Sequence, residues 1–440
     1  MASYFLSRTI VAFLLILSLS SWAANPTTSS IDGEVAQVVS TSYYHFAKPK
    51  AVSKNLRSVI ERANAFYQTQ NYADALRTLA EERALDEIRL GDSDLQSIAS
   101  LALQLYANAP VEKLLQTAQE QGDSLSEAKL SFELARFYST NQHWTKVSHL
   151  LTNSFIFEQL AKNDMAEAYV LLGTALQKQK KHREALNVYE KISRDSQHFR
   201  IAQLNLASAL LRQEWWTDAH IAINTALKQN TGKRDELDFR LYTMMGFSQI
   251  QFGFYRDARE SFRNIAISSQ YAHRALLGLG IAALHQQDFI GALNAFDKLR
   301  SQPQKDISIA EAHLLSAFAL SQLEQFDAAT IRYQDAIVYY QTLSAEIQSF
   351  VSTTVETPIH FLRPEHQRDS LLRNNTFKIA LLADLSNSST SNTLTFSTLE
   401  SRIRAQSARR ANVLLQKEKN AIDSYLSQSR FGLASLYDNQ

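Results

Sequence analysis

The side chains that could do chemistry in this chain form no catalytic pattern. Two histidines, His143 and His149, stand six residues apart with Trp144 between them, a spacing that does not place both on one helix face and so disfavours a metal site. The sequence lacks glycine-rich phosphate loops, the H-E-x-x-H zinc pattern and a G-x-S-x-G elbow. With 0 Cys, it also lacks thiolate metal ligands and cysteine nucleophiles. We therefore expect no catalytic, cofactor-binding or metal-binding residues, and no enzymatic activity.

The composition indicates a mainly helical protein. The chain has 440 residues with only 11 Gly and 6 Pro, fewer than average, whereas proteins rich in tight turns need more of both. The 45 basic and 44 acidic side chains almost cancel, which argues against a nucleic-acid binder that works by neutralising phosphates. The length allows two or three domains or one long repeat array.

A repeat runs through the middle of the chain. Each copy has a Gly or Ala as its first marker, a second marker twelve residues later and a third, often aromatic, four residues further on. The clearest copies contain Gly173/Ala185/Tyr189, Gly246/Ala258/Phe262 and Gly280/Ala292/Phe296. The others contain Ala63/Ala75/Leu79, Ala102/Leu114/Ala118, Ala135/Val147/Leu151, Ala207/Ala219/Ile223 and Ala317/Ala329/Tyr333. Small markers let two helices cross at short distance, and we expect the aromatic residue to fill the gap towards the next helix pair.

This pattern resembles the tetratricopeptide repeat, a unit of about 34 residues. The resemblance covers residues 56–341, is clearest over 166–341, and implies about eight antiparallel helix pairs. Since one pair cannot bury its apolar face alone, the pairs should stack into an all-α, right-handed solenoid. Leu114 and Val147 replace a small second marker, so the three N-terminal copies are expected to be less regular.

The resemblance also predicts a binding surface. In this family the first helix of each pair lines a concave groove that receives an extended peptide or a helix of a protein partner. The expected apolar groove residues are Phe247, Ile250, Leu277, Ile281, Leu314 and Phe318, and the basic residues at its margins are Arg212, Arg240 and Arg274. The alternative is that the chain's own C-terminal helix fills the groove.

The first residues predict a cleavable signal peptide. Arg8 precedes an apolar run over residues 10–19, and Ser21 and Ala23 place small residues before an expected cut after Ala23. The alternative, a membrane-anchoring helix, is disfavoured because the apolar run is shorter than the roughly 20 residues that a span needs. After cleavage we expect no transmembrane segment.

The two ends should differ from the array. Residues 24–55 are rich in Ser, Thr and Val and are expected to form a flexible leader. Residues 342–440 are expected to form a helical extension with a polar linker near 386–398 and a long helix over 399–439. The basic N-terminal half of that long helix, 399–420, is either a surface for an acidic partner or a membrane, or a solvated helix face.

These features predict a non-catalytic interaction scaffold, periplasmic or secreted, which serves an assembly, export or energy-transducing complex of the bacterial cell envelope. That list of settings comes from the resemblance, because a fold alone does not define a function. The alternatives are a cytoplasmic scaffold without a true signal peptide and an enzyme with its site in the C-terminal extension. The sequence identifies neither the protein partner nor the oligomeric state.

Overall fold

A computed structural model describes residues 26–47, 56–303, 306–352, 369–388 and 393–438. This part of the chain contains helices and no strands. The first eleven helices are α1 (Pro26–Phe46), α2 (Leu56–Gln68), α3 (Tyr72–Glu81), α4 (Ala84–Glu87), α5 (Leu95–Gln104), α6 (Asn108–Gln121), α7 (Ser124–Thr140), α8 (Trp144–Leu151), α9 (Ser154–Gln159), α10 (Lys162–Lys178) and α11 (His182–Tyr189). The remaining ten are α12 (Phe199–Arg212), α13 (Trp216–Gln229), α14 (Glu236–Gln251), α15 (Tyr255–Arg263), α16 (Ala272–His285), α17 (Phe289–Arg300), α18 (Ile307–Gln322), α19 (Phe326–Ser352), α20 (Ser370–Ser388) and α21 (Thr393–Asp438).

Sixteen of these helices coincide with the eight copies of the repeat, two helices to each copy, and we number them in chain order as pairs. Pairs 1 to 8 are α2/α3, α5/α6, α7/α8, α10/α11, α12/α13, α14/α15, α16/α17 and α18/α19. The short helices α4 and α9 occupy two of the longer intervals between pairs. The chain divides into two compact units. The N-terminal unit contains the described residues of 26–209 and 369–407, and the C-terminal unit those of 210–352 and 408–438. The antiparallel arrangement and the handedness of the solenoid stay predictions.

Each pair is closed by the same three-residue turn. The middle residue of every turn has a positive φ, between 58° and 82°, and the N–H of the last turn residue donates to the carbonyl five residues earlier, as Lys181 does to Leu176 at 2.9 Å. This bonding satisfies free carbonyls at the end of the first helix. The middle residues are Gln70, Tyr106, Gln142, Lys180, Glu214, Gly253, Gln287 and Glu324. Seven of the eight turns therefore hold a side chain in a conformation that costs about 1–2 kcal/mol.

The aromatic markers lie against the glycine markers of their own pairs. A Cβ at Gly173 would overlap the Tyr189 ring, and one at Gly280 would overlap the Phe296 ring. These rings thus also fill space within their own pair, which the expectation of a gap towards the next pair did not include. Phe262 does both, because its ring lies over Gly246 of its own pair and over Gly278 of pair 7.

The N-terminal segment is helical where we expected a flexible leader. Helix α1 buries Val35, Val39 and Tyr43 completely, and it packs against α3 and α6 of the N-terminal unit. The physical reason is that these residues recur every four positions, so a Ser- and Thr-rich segment still presents one apolar face. Residues 24–25 and 48–55 lie outside the described part of the chain.

In the described part of the C-terminal extension, the two last helices are joined by a shorter connection than we expected. Residues 386–388 end α20 and residues 393–398 begin α21, so most of the predicted linker over 386–398 is helical. Helix α20 packs against α3 in the N-terminal unit. There the Asp384 carboxylate accepts a hydrogen bond from the Ala73 N–H at 2.7 Å, at a helix start, where free N–H groups favour an acidic group.

A buried ionic cluster joins α1 and α20 to the turn of pair 3. Asp32 and Lys378 are 5% and 2% exposed and form an ion pair, and His143 Nε2 lies 3.1 Å from the second oxygen of Asp32. Burial alone would raise the pKa of Asp32, but the hydrogen bond with His143 and the charge of Lys378 outweigh it and lower this pKa below its usual value. Removing one partner of such a pair leaves a buried charge and typically costs about 3–5 kcal/mol.

The last part of α21 extends the C-terminal unit beyond pair 8. Gly432 lies beneath the Tyr333 ring, where a Cβ would overlap that ring. This contact corresponds to the one between Gly278 and Phe262, so α21 presents a glycine to the last pair as the first helix of a following pair would. Tyr425 adds a hydrogen bond from its hydroxyl to the Glu311 carboxylate at 3.1 Å.

Three basic residues of α21, out of six in residues 399–420, are paired with carboxylates. Arg402 binds Glu34 of α1 within the N-terminal unit. Arg404 and Lys419 bind carboxylates one turn away on α21 itself. These pairs match a solvated helix face better than a free basic surface.

The packing of Phe296 predicts the effect of filling the space at Gly280. Gly280→Ala should lower the free energy of unfolding of the C-terminal unit by about 1–3 kcal/mol, because the added Cβ overlaps the buried ring. Chemical denaturation followed by circular dichroism measures this. Gly232→Ala is the control, since a Cβ there meets only Asn230 at an ordinary 3.6 Å. Equal stability of the two variants would contradict the assigned contact.

The buried Glu311 carboxyl predicts a pH dependence. Burial raises the pKa of Glu311 from 4.5 to about 7, so the folded state holds a proton that the unfolded chain releases. Glu311 should therefore lower the free energy of unfolding progressively as the pH rises from about 4.5 to 7.

His313 acts in the opposite direction, since burial lowers its pKa to about 4, and its effect appears as the pH falls. The difference between wild type and Glu311→Gln isolates Glu311. Denaturation between pH 4.5 and pH 7.5 should give a smaller decline with rising pH for Glu311→Gln. Glu324→Gln, an exposed change, should behave as wild type. Parallel profiles of all three proteins would exclude a buried, protonated Glu311.

Candidate functional site

The predicted groove residues occupy equivalent positions on the first helices of pairs 6 to 8. Phe247, Ile281 and Phe318 each follow the first marker of their helix by one residue. Leu277 and Leu314 precede the marker by three residues. Helices α14, α16 and α18, which carry these residues, are consecutive first helices of the C-terminal unit. The apolar residues therefore share one register relative to the sequence markers.

These apolar side chains have little contact with solvent, unlike the lining of an open groove. The exposed fraction is 9% for Phe247, 3% for Ile250, 1% for Leu277, 3% for Ile281 and 2% for Leu314. Only Phe318 is half-buried. The first four belong to the hydrophobic core of pairs 6 to 8. These residues are therefore covered in the folded chain, and whether a partner contacts them stays a prediction.

The arginines at the predicted margin differ in burial. Arg212 and Arg240 are exposed, whereas Arg274 is half-buried, with its guanidinium 5.5 Å above the Phe247 ring. Burial lowers the pKa of Arg274, and the charge of Arg240 lowers it further, while Tyr271 acts in the opposite direction. Within the described part of the chain, no carboxylate forms an ion pair with Arg240 or Arg274. The site therefore carries two neighbouring cations with no carboxylate partner among the described residues.

In pair 8, the position that corresponds to Arg240 and Arg274 carries an acidic residue. Glu311 lies six residues before its first marker, as Arg240 and Arg274 lie before theirs. Its carboxyl is 2% exposed and bound by Tyr425 of α21. Residues 408–438 contact pair 8 at Glu311, Tyr333, Tyr340 and Ser344.

A second surface, which the sequence did not single out, lies at the turn of pair 5. A pocket of about 350 Å³ opens there and is lined by Glu214, Trp215, Trp216, Thr217 and Asp218. Trp216 stacks on Phe252 of the next turn with ring centroids 4.8 Å apart. The two adjacent tryptophans, Trp215 and Trp216, were the available sequence signal.

The described residues contain no group of three or more His, Asp or Glu side chains arranged to hold a metal ion. In the same part of the chain, no helix has both the length and the apolar character needed to cross a membrane. The predicted signal peptide, residues 1–23, lies outside the described residues.

Comparison with known proteins identifies the repeat. The tetratricopeptide repeat family model matches residues 170–233 and 243–306, which lie in pairs 4 to 7. No curated protein matches the sequence. Among solved structures, the apo form of RapI is similar, with a TM-score of 0.48, 14% identity, and coverage of 75% of this chain and 97% of that chain. The APC/C hetero-tetramer Cut9–Hcn1 is also similar, with a TM-score of 0.32, 14% identity, and coverage of 78% and 73%. The family match therefore identifies tetratricopeptide repeats over residues 170–233 and 243–306 of this chain.

Proposed function

We propose that the chain is a non-catalytic interaction scaffold of the bacterial cell envelope, which binds an acidic helix or extended peptide of a protein partner along the first helices of pairs 6 to 8. Tetratricopeptide repeats commonly mediate protein–protein interaction, and stacked helix pairs offer extended binding surfaces without chemistry. The partner would belong to an assembly, export or energy-transducing complex.

The observation that carries the proposal is the environment of Arg274. A half-buried guanidinium loses hydration, and a charge removed from water is costly unless an opposite charge compensates it. The Phe247 ring provides a cation–π contact at 5.5 Å, which is worth about 0.5–2 kcal/mol, but it carries no net negative charge. A carboxylate from a partner would form charge-assisted hydrogen bonds with Arg274 and with the exposed Arg240.

The apolar residues suit a role beneath the ligand. Phe247 and Ile281 are buried on consecutive first helices, and the Phe247 ring lies beneath the Arg274 guanidinium. An amphipathic helix would direct its acidic side chains to the arginines and its apolar side chains to Phe318, which remains half-exposed. Because Phe247 is buried, its replacement by Ala would cost about 3–5 kcal/mol of stability, so the arginines are the better positions for a test.

The envelope setting is supported by the signal pattern. A basic residue, an apolar run and small residues before Asn25 have the order of a secretory signal peptide. The absence of Cys from the chain is compatible with an oxidising compartment.

The double variant Arg240→Gln/Arg274→Gln tests the binding surface. Partners should be captured by crosslinking in intact cells, then purified with the tagged chain and quantified by mass spectrometry. We expect the variant to capture at least tenfold less crosslinked partner than wild type, because both charge-assisted contacts are removed. Its thermal stability should stay close to that of wild type. Arg256→Gln, an exposed change on the second helix of pair 6, should retain the partner. Unchanged crosslinking by the double variant would exclude this surface.

The mature N-terminus tests the compartment. Mass spectrometry of the chain purified from its native cells should show a first residue of Ala24, because the small residues at 21 and 23 direct cleavage after Ala23. A chain that retains residues 1–23 and fractionates with cytoplasmic proteins would contradict the envelope setting and favour a cytoplasmic scaffold.

A further inference from the structure

The N-terminal unit shows how a helix can lie across the turns of this array. Helix α20 crosses the turns of pairs 1, 2 and 3. Phe377 packs against Tyr72, the first residue of α3, at 5.0 Å and stacks on Tyr106 in the turn of pair 2 at 6.0 Å. Further along, Asn374 donates a hydrogen bond to the carbonyl of Thr140, beside the turn of pair 3, at 2.6 Å.

A basic residue completes that contact. Lys378, which follows Phe377, lies 5.6 Å above the Tyr106 ring and pairs with Asp32. Helix α20 therefore presents an aromatic residue and an adjacent cation to a surface made of turn aromatics and a carboxylate. Tyr72 is only 9% exposed and Tyr106 5%, so these turns are covered in the folded unit.

The turns of pairs 5 and 6, in the C-terminal unit, have similar chemistry and remain exposed. Trp215 and Phe254 are the last residues of their turns, and they are 42% and 41% exposed. Between them, the Trp216 ring lies 4.8 Å from Phe252 and 5.5 Å from Phe254. The four rings form an aromatic surface across two neighbouring turns, and such exposed patches mark interaction sites.

Two carboxylates line the pocket beside these rings. Glu214 and Asp218 line the same pocket as Trp215 and Trp216, and both are exposed. Within the described part of the chain, neither forms an ion pair. Aromatic faces attract cations, and the two carboxylates add to that attraction, whereas they repel anionic lipid and nucleic acid.

We propose that the aromatic turns of pairs 5 and 6 dock a basic amphipathic helix of a protein partner. The helix would lie across the turns as α20 does in the N-terminal unit, with an aromatic or aliphatic residue against Trp215 and Phe254 and a Lys or Arg beside Glu214 and Asp218. This surface would bind a basic ligand, whereas the site at Arg240 and Arg274 would bind an acidic one. It does not rest on the function proposed above.

Isothermal titration with a synthetic leucine–lysine amphipathic helix tests the proposal on the full mature chain, with a leucine–glutamate helix as the charge control. The variants are Trp215→Ala/Phe254→Ala, which removes the exposed rings, and Glu214→Gln/Asp218→Asn, which removes the charges. Ile267→Ala is the matched control, because Ile267 is an exposed apolar residue, at 81%, in the loop after α15. Thermal melts establish that each variant is folded.

We expect the wild-type chain and Ile267→Ala to bind the leucine–lysine helix with the same Kd, and each double variant to bind it at least tenfold more weakly. The leucine–glutamate helix should not bind at this surface, so its Kd should not respond to the double variants. Failure of the wild type to bind the basic helix, or equal Kd values for all variants, would overturn the proposal. Loss of phosphatidylcholine-vesicle binding by Trp215→Ala/Phe254→Ala, with binding of the basic helix unchanged, would assign the surface to lipid instead.

Discussion

The close approach of paired helices over a small residue is the constraint on which the rest of this structure depends. At Gly173, Gly246 and Gly280 the absent side chain leaves space that an aromatic ring fills completely. The ring fixes the register between the two helices, because a shift of one residue would replace the glycine by a side chain. Dense interiors tolerate little added volume. The positions of groove and turn residues follow from this register.

Terminal repeats expose an apolar face, and helices outside the repeats pack on the array near both of its ends. At the C-terminus, α21 repeats the interaction inside the array, with Gly432 beneath Tyr333. Near the N-terminus, α1 and α20 use the buried pair Asp32–Lys378 in addition to apolar contacts. Apolar contacts would suffice for stability, since a buried ion pair is often no better than packed hydrophobic residues. Because Asp32 also contacts His143 in the turn of pair 3, the ion pair defines where both helices lie relative to that pair.

The sequence predicted the array well and the ends poorly, for physical reasons. The first and second markers of the eight copies fall on sixteen successive array helices, because the packing of helix against helix demands small residues at a near-constant period. The turns were not predicted individually: a positive φ usually signals Gly, yet Gln, Lys, Glu and Tyr adopt it here. Helix α1 was missed because its Ser and Thr concealed a four-residue apolar spacing. The burial of Phe247 and Leu277 could not be predicted, since position on a first helix does not determine what covers it.

The most direct test of the register is a double-mutant cycle between Gly280→Ala and Phe296→Leu, with unfolding free energies measured by chemical denaturation. If the ring over the glycine sets the spacing of pair 7, Gly280→Ala should cost much less once Phe296 is replaced. The coupling energy should then lie in the range of about 0.5–3 kcal/mol that contacting residues show. Additive effects, with a coupling energy below about 0.3 kcal/mol, would contradict the account.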